Sequence, residues 1–237
     1  MNNLCRSKIE YVRNPDGSQG YGCNPLTGQC QHFCSYCWAE EMRIRFKQSA
    51  EMEWHPEELE KIGLLKKPST IFIGSSYDIW GNWVKSNWKR YILDTVEALQ
   101  SHTFLFLTKN PKDYKYINIP LDNCWFGASV DTIVHASYIS FEMGGLPVKN
   151  KFLSAEPLLA DISDCTILNG IKWLTIGCLT KNGRPVKPEN GGTKLEWVLP
   201  LIEKAKEYKI PIFLKNNLIP MMGENCVKSN QKIPYSR

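Results

Sequence analysis

Six short runs of apolar, β-branched and aromatic residues recur along the chain, and longer segments with helical periodicity separate most of them. The runs are nearly continuous in apolar residues, which is typical of parallel strands covered on both faces. Strands are predicted at 69–76, 103–110, 124–130, 151–157, 172–178 and 210–215. Parallel strands joined through helices require right-handed crossovers, so the pattern predicts an α/β barrel or a doubly wound sheet.

Four segments with helical periodicity accompany these strands, at 39–50, 87–100, 131–143 and 193–208. Asn87 and Asp131 are residue types that cap helix N-termini, and Thr193 followed by Glu196 matches a capping box. Pro200 lies inside the last segment, so that helix is expected to bend there or to begin later.

Every predicted strand ends in a polar or glycine-containing tail, which favours the barrel. The carboxyl ends of barrel strands and the loops after them build the active sites of α/β barrels. Taken singly, each tail is equally typical of an ordinary loop start. Together they predict a partial (β/α) TIM-like barrel of six or seven parallel strands, in one domain over 1–237 with a C-terminal tail from about 217. The tails carry Gly74, Ser75, Ser76, Lys109, Ser129, Glu156, Cys178 and Lys215.

Composition sets the class of protein and its compartment. Of the 237 residues, 43% are hydrophobic and 22% are charged, as in ordinary globular proteins. The N-terminal residues lack the apolar core of a signal peptide, and no apolar stretch is long enough to span a membrane. We therefore expect a cytoplasmic protein without a membrane partner. A net charge of +5 is compatible with a nucleic-acid partner but does not by itself predict one.

Nine cysteines in such a chain are expected to be thiols or metal ligands rather than disulfides. Cys30, Cys34 and Cys37 follow one another with the spacing C-x3-C-x2-C inside the loop 23–38. Three thiolates from one loop can bind three irons of a cubane cluster and leave the fourth iron open to an exogenous ligand. A helix that begins near Ala39 would favour an anionic cluster with its N-terminal amides.

Zinc is the main alternative for this loop. Cys23 lies seven positions before Cys30, so four cysteines are available for a zinc-stabilised, non-catalytic binding module. Zinc knuckles usually combine two C-x2-C pairs, and only one such pair is present. Reduced structural thiols are the third interpretation.

The cysteine loop, with Tyr36 before its last cysteine, resembles the signature of the radical S-adenosylmethionine (radical SAM) superfamily. The resemblance extends over roughly 20–216, where 72–84, 104–111, 125–132 and 152–159 are similar to a phage-associated subgroup of that superfamily. It implies a full or partial TIM-like barrel with the cluster loop after the first strand. It also implies a 4Fe–4S cluster, bound S-adenosylmethionine (SAM), and a low-potential electron donor such as flavodoxin or ferredoxin.

The resemblance assigns roles to individual residues. Cys30, Cys34 and Cys37 would be the iron ligands, and the turn after the second strand would contact the amino group of SAM. That turn lacks the usual glutamate here, so Asp78 or a serine hydroxyl would substitute for it. Tyr36 and Trp38 would flank the adenine, and Ser129 and Glu156 would hold the ribose or methionine. The full set of predicted cofactor contacts is Tyr36, Trp38, Gly74, Ser75, Ser76, Asp78, Lys109, Ser129 and Glu156.

The implied chemistry is reductive cleavage of SAM to a 5′-deoxyadenosyl radical that abstracts a hydrogen atom from a substrate. Cys178 follows a strand and is a candidate hydrogen-atom donor, although a lone cysteine there is more often a small core residue. The substrate class stays open between a nucleic-acid base and a small metabolite or peptide. Aromatic residues gathered over 77–91 and the positive charge favour the base. The oligomeric state is not predicted.

Overall fold

The computed structural model describes residues 4–117, 120–164 and 166–235. The chain divides into two compact units. The first contains residues 1–126 together with 235–237, and the second contains residues 127–234.

The described residues form short strands and seven α-helices. The strands are β1 (Cys5–Arg6), β2 (Tyr21–Cys23), β3 (Leu26–Thr27), β4 (Glu53–Trp54), β5 (Thr70–Ile73), β6 (Thr103–Thr108), β7 (Cys124–Ser129), β8 (Lys151–Ala155), β9 (Trp173–Ile176), β10 (Thr180–Lys181), β11 (Arg184–Pro185) and β12 (Ile212–Leu214). The helices are α1 (Trp38–Arg45), α2 (Pro56–Glu60), α3 (Ser86–Ala98), α4 (Ile133–Gly145), α5 (Leu195–Glu207), α6 (Ile219–Met222) and α7 (Glu224–Ser229). Within the described ranges, no helix combines the length and the apolar character needed to cross a bilayer.

The first unit is built on a sheet with the strand order β1-β2-β5-β6. The three strands β2, β5 and β6 run parallel, and β1 pairs antiparallel with β2 at the edge. All four residues of β5 are buried, as expected for a parallel strand with both faces covered. The strand β2 was not among the sequence predictions. Its position before the cysteine loop is the one that the radical SAM resemblance implies.

The second unit contains the parallel strands β8, β9 and β12 in that order. All residues of β8 and β9 are buried. Helix α5 buries Val198, Leu201, Ile202 and Ala205, whose spacing places them on one face of the helix. The short strands β10 and β11 form a hairpin whose turn residues, Asn182 and Gly183, both have positive φ.

The predicted α/β class, built on parallel strands, is confirmed. Each of the six strand segments predicted from sequence contains a strand, from β5 and β6 through β7, β8 and β9 to β12. The four predicted helices are also present, as α1, α3, α4 and α5. Closure of the strands into a barrel stays a prediction, as does the assignment of the chain to a single domain.

Two of the predicted helix caps are wrong. Helix α3 begins one residue before Asn87, with Lys85 at the N-cap, and α4 begins after Thr132. Neither cap residue makes a side-chain hydrogen bond to the helix. Asp131 instead accepts a 2.6 Å hydrogen bond from His135 Nδ1.

The predicted capping box at α5 is also wrong. Lys194 is the N-cap residue, and Thr193 Oγ1 accepts a hydrogen bond from the backbone N–H of Leu179. Pro200 lies inside α5, where its missing N–H leaves the carbonyl oxygen of Glu196 without an intrahelical donor.

A buried ion pair joins three segments of the first unit. Lys89 on α3 donates to Asp113 Oδ2 and, at 2.8 Å, to the carbonyl oxygen of Gly81. The two side chains are only 1% and 7% exposed. The pair connects α3, the loop at Gly81 and the 3-10 segment Pro111–Tyr116. Because burial of one such charge without its partner is costly, the three segments are held together.

We expect Lys89→Met to lower the free energy of unfolding by about 3–5 kcal/mol, because it leaves the buried Asp113 carboxylate with only the exposed Lys115 ammonium, 3.8 Å away, as a charge partner. The measurement is urea unfolding followed by tryptophan fluorescence. Arg90→Met on the same helix is the control, since its pair with Asp94 is about half exposed and contributes about 1 kcal/mol or less. The double variant Lys89→Met/Asp113→Leu should recover most of the loss. Equal effects of Lys89→Met and Arg90→Met would contradict the assignment.

Candidate functional site

The cysteine loop of the first unit lies between β3 and α1. The backbone N–H of Phe33 donates to Cys30 O at 3.3 Å, and that of Cys37 donates to Cys34 O at 3.1 Å. Phe33 has a φ of 48°, in the left-handed region, and 68% of its surface is exposed. Cys37 is the N-cap residue of α1, so the helix begins directly after the last cysteine.

The donor set of this loop fits an iron–sulfur cluster. The cysteines of the described residues form no disulfide, and the three loop cysteines are each partly exposed. Three thiols from a single loop are the ligands that such a cluster uses. Among residues 4–117, 120–164 and 166–235, however, no group of three or more His, Cys, Asp or Glu residues is positioned to hold a metal ion. The loop therefore provides suitable donors without bringing them together as a formed metal site.

Cys23 is placed as a core residue rather than as a fourth metal ligand. It is fully buried at the end of β2, and its thiol donates to Glu58 O at 3.5 Å. Burial raises the pKa of this thiol strongly, and the nearby Glu58 carboxylate adds to the effect. Because zinc requires the thiolate, this environment disfavours the predicted zinc alternative that includes Cys23.

The thiol of Cys30 is partly buried beside the turn that follows β5. Burial raises its pKa to about 11. Hydrogen bonds from the backbone at His32 and Asp78 favour the thiolate and oppose this shift. Cys30 thus lies directly against the turn that carries Asp78.

The Asp78 carboxylate holds the segments around this loop together. Its Oδ2 accepts hydrogen bonds from Thr108 Oγ1 at 2.9 Å and from the backbone N–H of Lys109 at 3.0 Å. The same oxygen lies 2.7 Å from His32 Nε2, and Oδ1 accepts from the backbone N–H of Trp80. Since both oxygens already bind groups of the chain, this geometry favours Asp78 as a positioning residue over a direct SAM contact.

The turn after β5 is also fixed by the chain. Gly74 has a φ of 81°, and a Cβ atom there would lie 2.9 Å from Tyr77 O, so the position requires glycine. Asn24 Oδ1 accepts hydrogen bonds from Ser75 Oγ and from the backbone N–H of Ser76, each at 3.1 Å. The predicted residues of this turn therefore lie at the carboxyl end of β5 and next to the residue that follows β2.

Of the two predicted adenine contacts, one lies near another predicted residue and the other is exposed. The Lys109 ammonium lies 5.5 Å from the centre of the Tyr36 ring, so these two predicted residues are brought together. Trp38, by contrast, is 58% exposed at the first position of α1. His32 packs edge-to-face against Trp83 at 4.9 Å, which ties the aromatic segment after β5 to the cysteine loop.

The second unit gathers other predicted residues. Glu156 directly follows β8 and Lys215 directly follows β12, and their charged groups are 3.0 Å apart. Gly177, after β9, lies between them, because a Cβ atom there would be 3.2 Å from Glu156 Cγ and 3.1 Å from Lys215 Cδ. Ser129 is buried at the end of β7.

Cys178 is held by Asn217, a residue that the sequence analysis missed. The Cys178 thiol donates to Asn217 O at 3.0 Å, and the Asn217 side chain bonds both the N–H and the carbonyl of Cys178. Burial raises the pKa of this thiol to about 11. Asn217 lies two residues after the end of the predicted strand 210–215. Only this proximity to a strand end could have indicated it in the sequence.

Comparisons with known proteins agree with this architecture. A family model described as "Protein of unknown function (DUF5131)" matches residues 6–230. No curated protein matches the sequence significantly.

The fold is similar to solved structures of spore photoproduct lyase. A cysteine-to-serine variant of that lyase has a TM-score of 0.56 and 10% identity, over 90% of this chain and 79% of the lyase chain. The lyase complexed with dinucleoside spore photoproduct has a TM-score of 0.55 and 10% identity, over 90% of this chain and 78% of the lyase chain. At this identity the likeness concerns the fold.

We expect Asp78→Asn to loosen the cysteine loop. The substitution replaces one carboxylate oxygen by an amide nitrogen, which cannot accept the hydrogen bonds that this oxygen accepts. The free energy of unfolding should therefore fall by about 2–4 kcal/mol. Cys30 should also be alkylated faster by iodoacetamide under native conditions, as measured by peptide mass spectrometry. Asp161→Asn is the control, because that exposed carboxylate accepts only a local bond from Ser163. An unchanged alkylation rate in Asp78→Asn would contradict the positioning role.

Proposed function

The chain belongs to the DUF5131 family, and we propose that it is a radical SAM enzyme. The observation that carries the proposal is the C-x3-C-x2-C loop, which lies between the parallel strand β2 and helix α1. A cluster loop after the first barrel strand is the arrangement in the superfamily that the sequence resembles. The likeness of the fold to spore photoproduct lyase supports the same assignment. Membership of a phage-associated subgroup is part of the proposal.

Cys30, Cys34 and Cys37 would hold a 4Fe–4S cluster. When bound, the cluster and SAM would supply a 5′-deoxyadenosyl radical, formed with methionine when one low-potential electron splits SAM. The electron would come from a protein such as flavodoxin or ferredoxin. A cytoplasmic location is included in the proposal, because a reducing compartment keeps cysteines as thiols.

The chain's own residues position the reactants. Asp78 restrains His32, and with it the segment between Cys30 and Cys34. The turn at Gly74–Ser76 would offer its backbone and hydroxyl groups to the methionine part of SAM. Tyr36, Trp38 and Lys109 of the first unit are the further proposed contacts of SAM, whereas the roles of Ser129 and Glu156 stay predictions of the resemblance.

Cys178 would return a hydrogen atom to the substrate radical. Its raised pKa means that the sulfur carries its hydrogen at neutral pH, and only the protonated thiol can donate a hydrogen atom. In the structure the S–H bond is directed at the carbonyl oxygen of Asn217, so Cys178 would have to leave this hydrogen bond to deliver its hydrogen atom.

The proposed substrate is a base in nucleic acid. A net charge of +5 and the aromatic residues over 77–91 are compatible with that partner. A solved relative in fold carries a dinucleoside spore photoproduct, which is itself a nucleic-acid fragment. A radical SAM enzyme for a small metabolite or peptide, and a zinc-stabilised binding module, are the alternatives that the experiments must separate.

We expect the protein reconstituted anaerobically with iron and sulfide to hold about four iron atoms per chain and to bleach on reduction with dithionite. With SAM, it should form 5′-deoxyadenosine, measured by chromatography. Cys34→Ala should lower both the iron content and 5′-deoxyadenosine formation to background, because one cluster ligand is removed.

Cys226→Ala is the matched control, since that exposed cysteine lies outside the proposed site. Its iron content and product formation should equal those of the wild type. A colourless protein with one bound zinc would refute the radical proposal and support the binding module. Formation of 5′-deoxyadenosine that responds only to metabolite or peptide pools would favour the small-substrate alternative.

We expect a labelled DNA or RNA oligonucleotide to bind with an affinity that falls steeply with salt, because phosphate contacts release counterions. Fluorescence anisotropy at increasing salt gives the slope of log affinity against log salt concentration. A peptide nucleic acid of the same base sequence is the control, and its uncharged backbone should remove the binding. No binding of the oligonucleotide even at low salt would refute a nucleic-acid substrate.

A further inference from the structure

Helix α4 of the second unit carries apolar residues on two opposite sides. Its buried side consists of Ala136, Ile139 and Met143. On the opposite side, Val134 and Phe141 are 78% and 80% exposed. Residues three, four and seven apart share one side of a helix, so the exposed residues form a continuous surface. We call this surface the outer face of α4, and it comprises Val134, Ser137, Tyr138, Phe141 and Gly145.

The other two long helices, α3 and α5, do not share this property. Each buries one side and exposes charged residues on the other, such as Arg90 and Asp94 on α3 and Glu196 and Glu203 on α5. That pattern is ordinary for a helix packed on one side only. A helix that is apolar on both sides is typical of one that is covered on both, and an exposed apolar surface of this kind marks an interaction site.

The charges of α4 decide which kind of partner fits this surface. The helix contains no lysine and no arginine over Ile133–Gly145. Membrane-surface helices and nucleic-acid-binding surfaces both depend on these cations, so a lipid bilayer and a nucleic acid fit the outer face poorly. The surface is instead suited to another protein surface with an apolar centre.

A second copy of the same helix provides such a surface. His135 and Glu142 lie seven residues apart, on one flank of the outer face. When two α4 helices pair antiparallel about a two-fold axis at Tyr138, each residue before Tyr138 meets the residues at a similar distance after it. Each Phe141 then lies on Val134 of the second copy, and each His135 lies beside Glu142 of the second copy. One arrangement therefore matches both the apolar and the charged positions.

We propose that the outer face of α4 is a homodimer interface, in which two copies of this chain pair their α4 helices antiparallel about a two-fold axis at Tyr138. The His135 ring already donates from Nδ1 to Asp131 of its own chain. In its protonated form it donates from the second ring nitrogen to Glu142 of the second copy. A single pair of helices is a small interface, so the dimer dissociates on dilution. The interface does not depend on the proposed radical SAM function.

Sedimentation equilibrium of the full-length protein over a range of concentrations tests the interface. The average mass of the wild type is expected to rise with concentration toward twice that of one chain. Phe141→Lys should stay monomeric over the same range, because it puts a cation into the apolar contact. Leu199→Lys is the control, since it replaces an exposed apolar residue on α5 and should sediment as the wild type does.

A charge exchange tests the antiparallel arrangement separately. Glu142→Lys puts a cation beside His135 of the second copy and should raise the dissociation constant about tenfold. The double variant His135→Glu/Glu142→Lys restores a pair of opposite charges, so it should recover most of the lost affinity.

Circular dichroism establishes that each variant is folded, and Val134→Lys replaces Phe141→Lys if the latter does not fold. The interface is overturned when the wild type stays monomeric at every concentration, or when the folded Phe141→Lys variant dimerises as the wild type does. It is also overturned when the monomeric wild type binds lipid vesicles and Phe141→Lys does not. Equal dissociation constants for Glu142→Lys and the wild type overturn the antiparallel arrangement.

Discussion

Within each unit, the carboxyl edge shared by its parallel strands is the constraint on which the candidate residues of that unit depend. Because neighbouring parallel strands all end at one edge, residues far apart in the sequence come together there without any local motif. In the first unit this edge collects the residues after β5 and β6, which Asp78 ties to the cysteine loop. In the second unit it collects Glu156 and Lys215, the residues after β8 and β12.

The strands and their polar ends could be predicted because their signal is local. A nearly continuous apolar run indicates a strand that is buried on both of its faces. In the structure, β5 and β8 are buried along their whole length. The helix caps could not be predicted in the same way. Asn87 and Asp131 have the right chemistry, but the chain enters the helices at Lys85 and Thr132, and the entry point depends on how each loop leaves its strand.

The partners of the site residues were beyond the sequence because they come from distant segments. His32 meets Asp78 across 46 positions, Asn24 meets Ser75 across 51, and Asn217 meets Cys178 across 39. In the sequence, each of these polar residues can be recognised only as a loop residue. Pairing across such separations follows from strand order and register, which periodicity alone does not define.

The cysteine loop shows why a binding signature and a formed site are different things. Its C-terminal end is fixed because Cys37 is the N-cap residue of α1, and its middle is held where His32 contacts Asp78. Its three cysteines are nevertheless not gathered around a common centre. For the proposed cluster, metal binding and ordering of the ligands would be one process, in which the binding free energy also stabilises the loop. Phe33, between His32 and Cys37, has a left-handed conformation, so the segment that would rearrange already stores backbone strain.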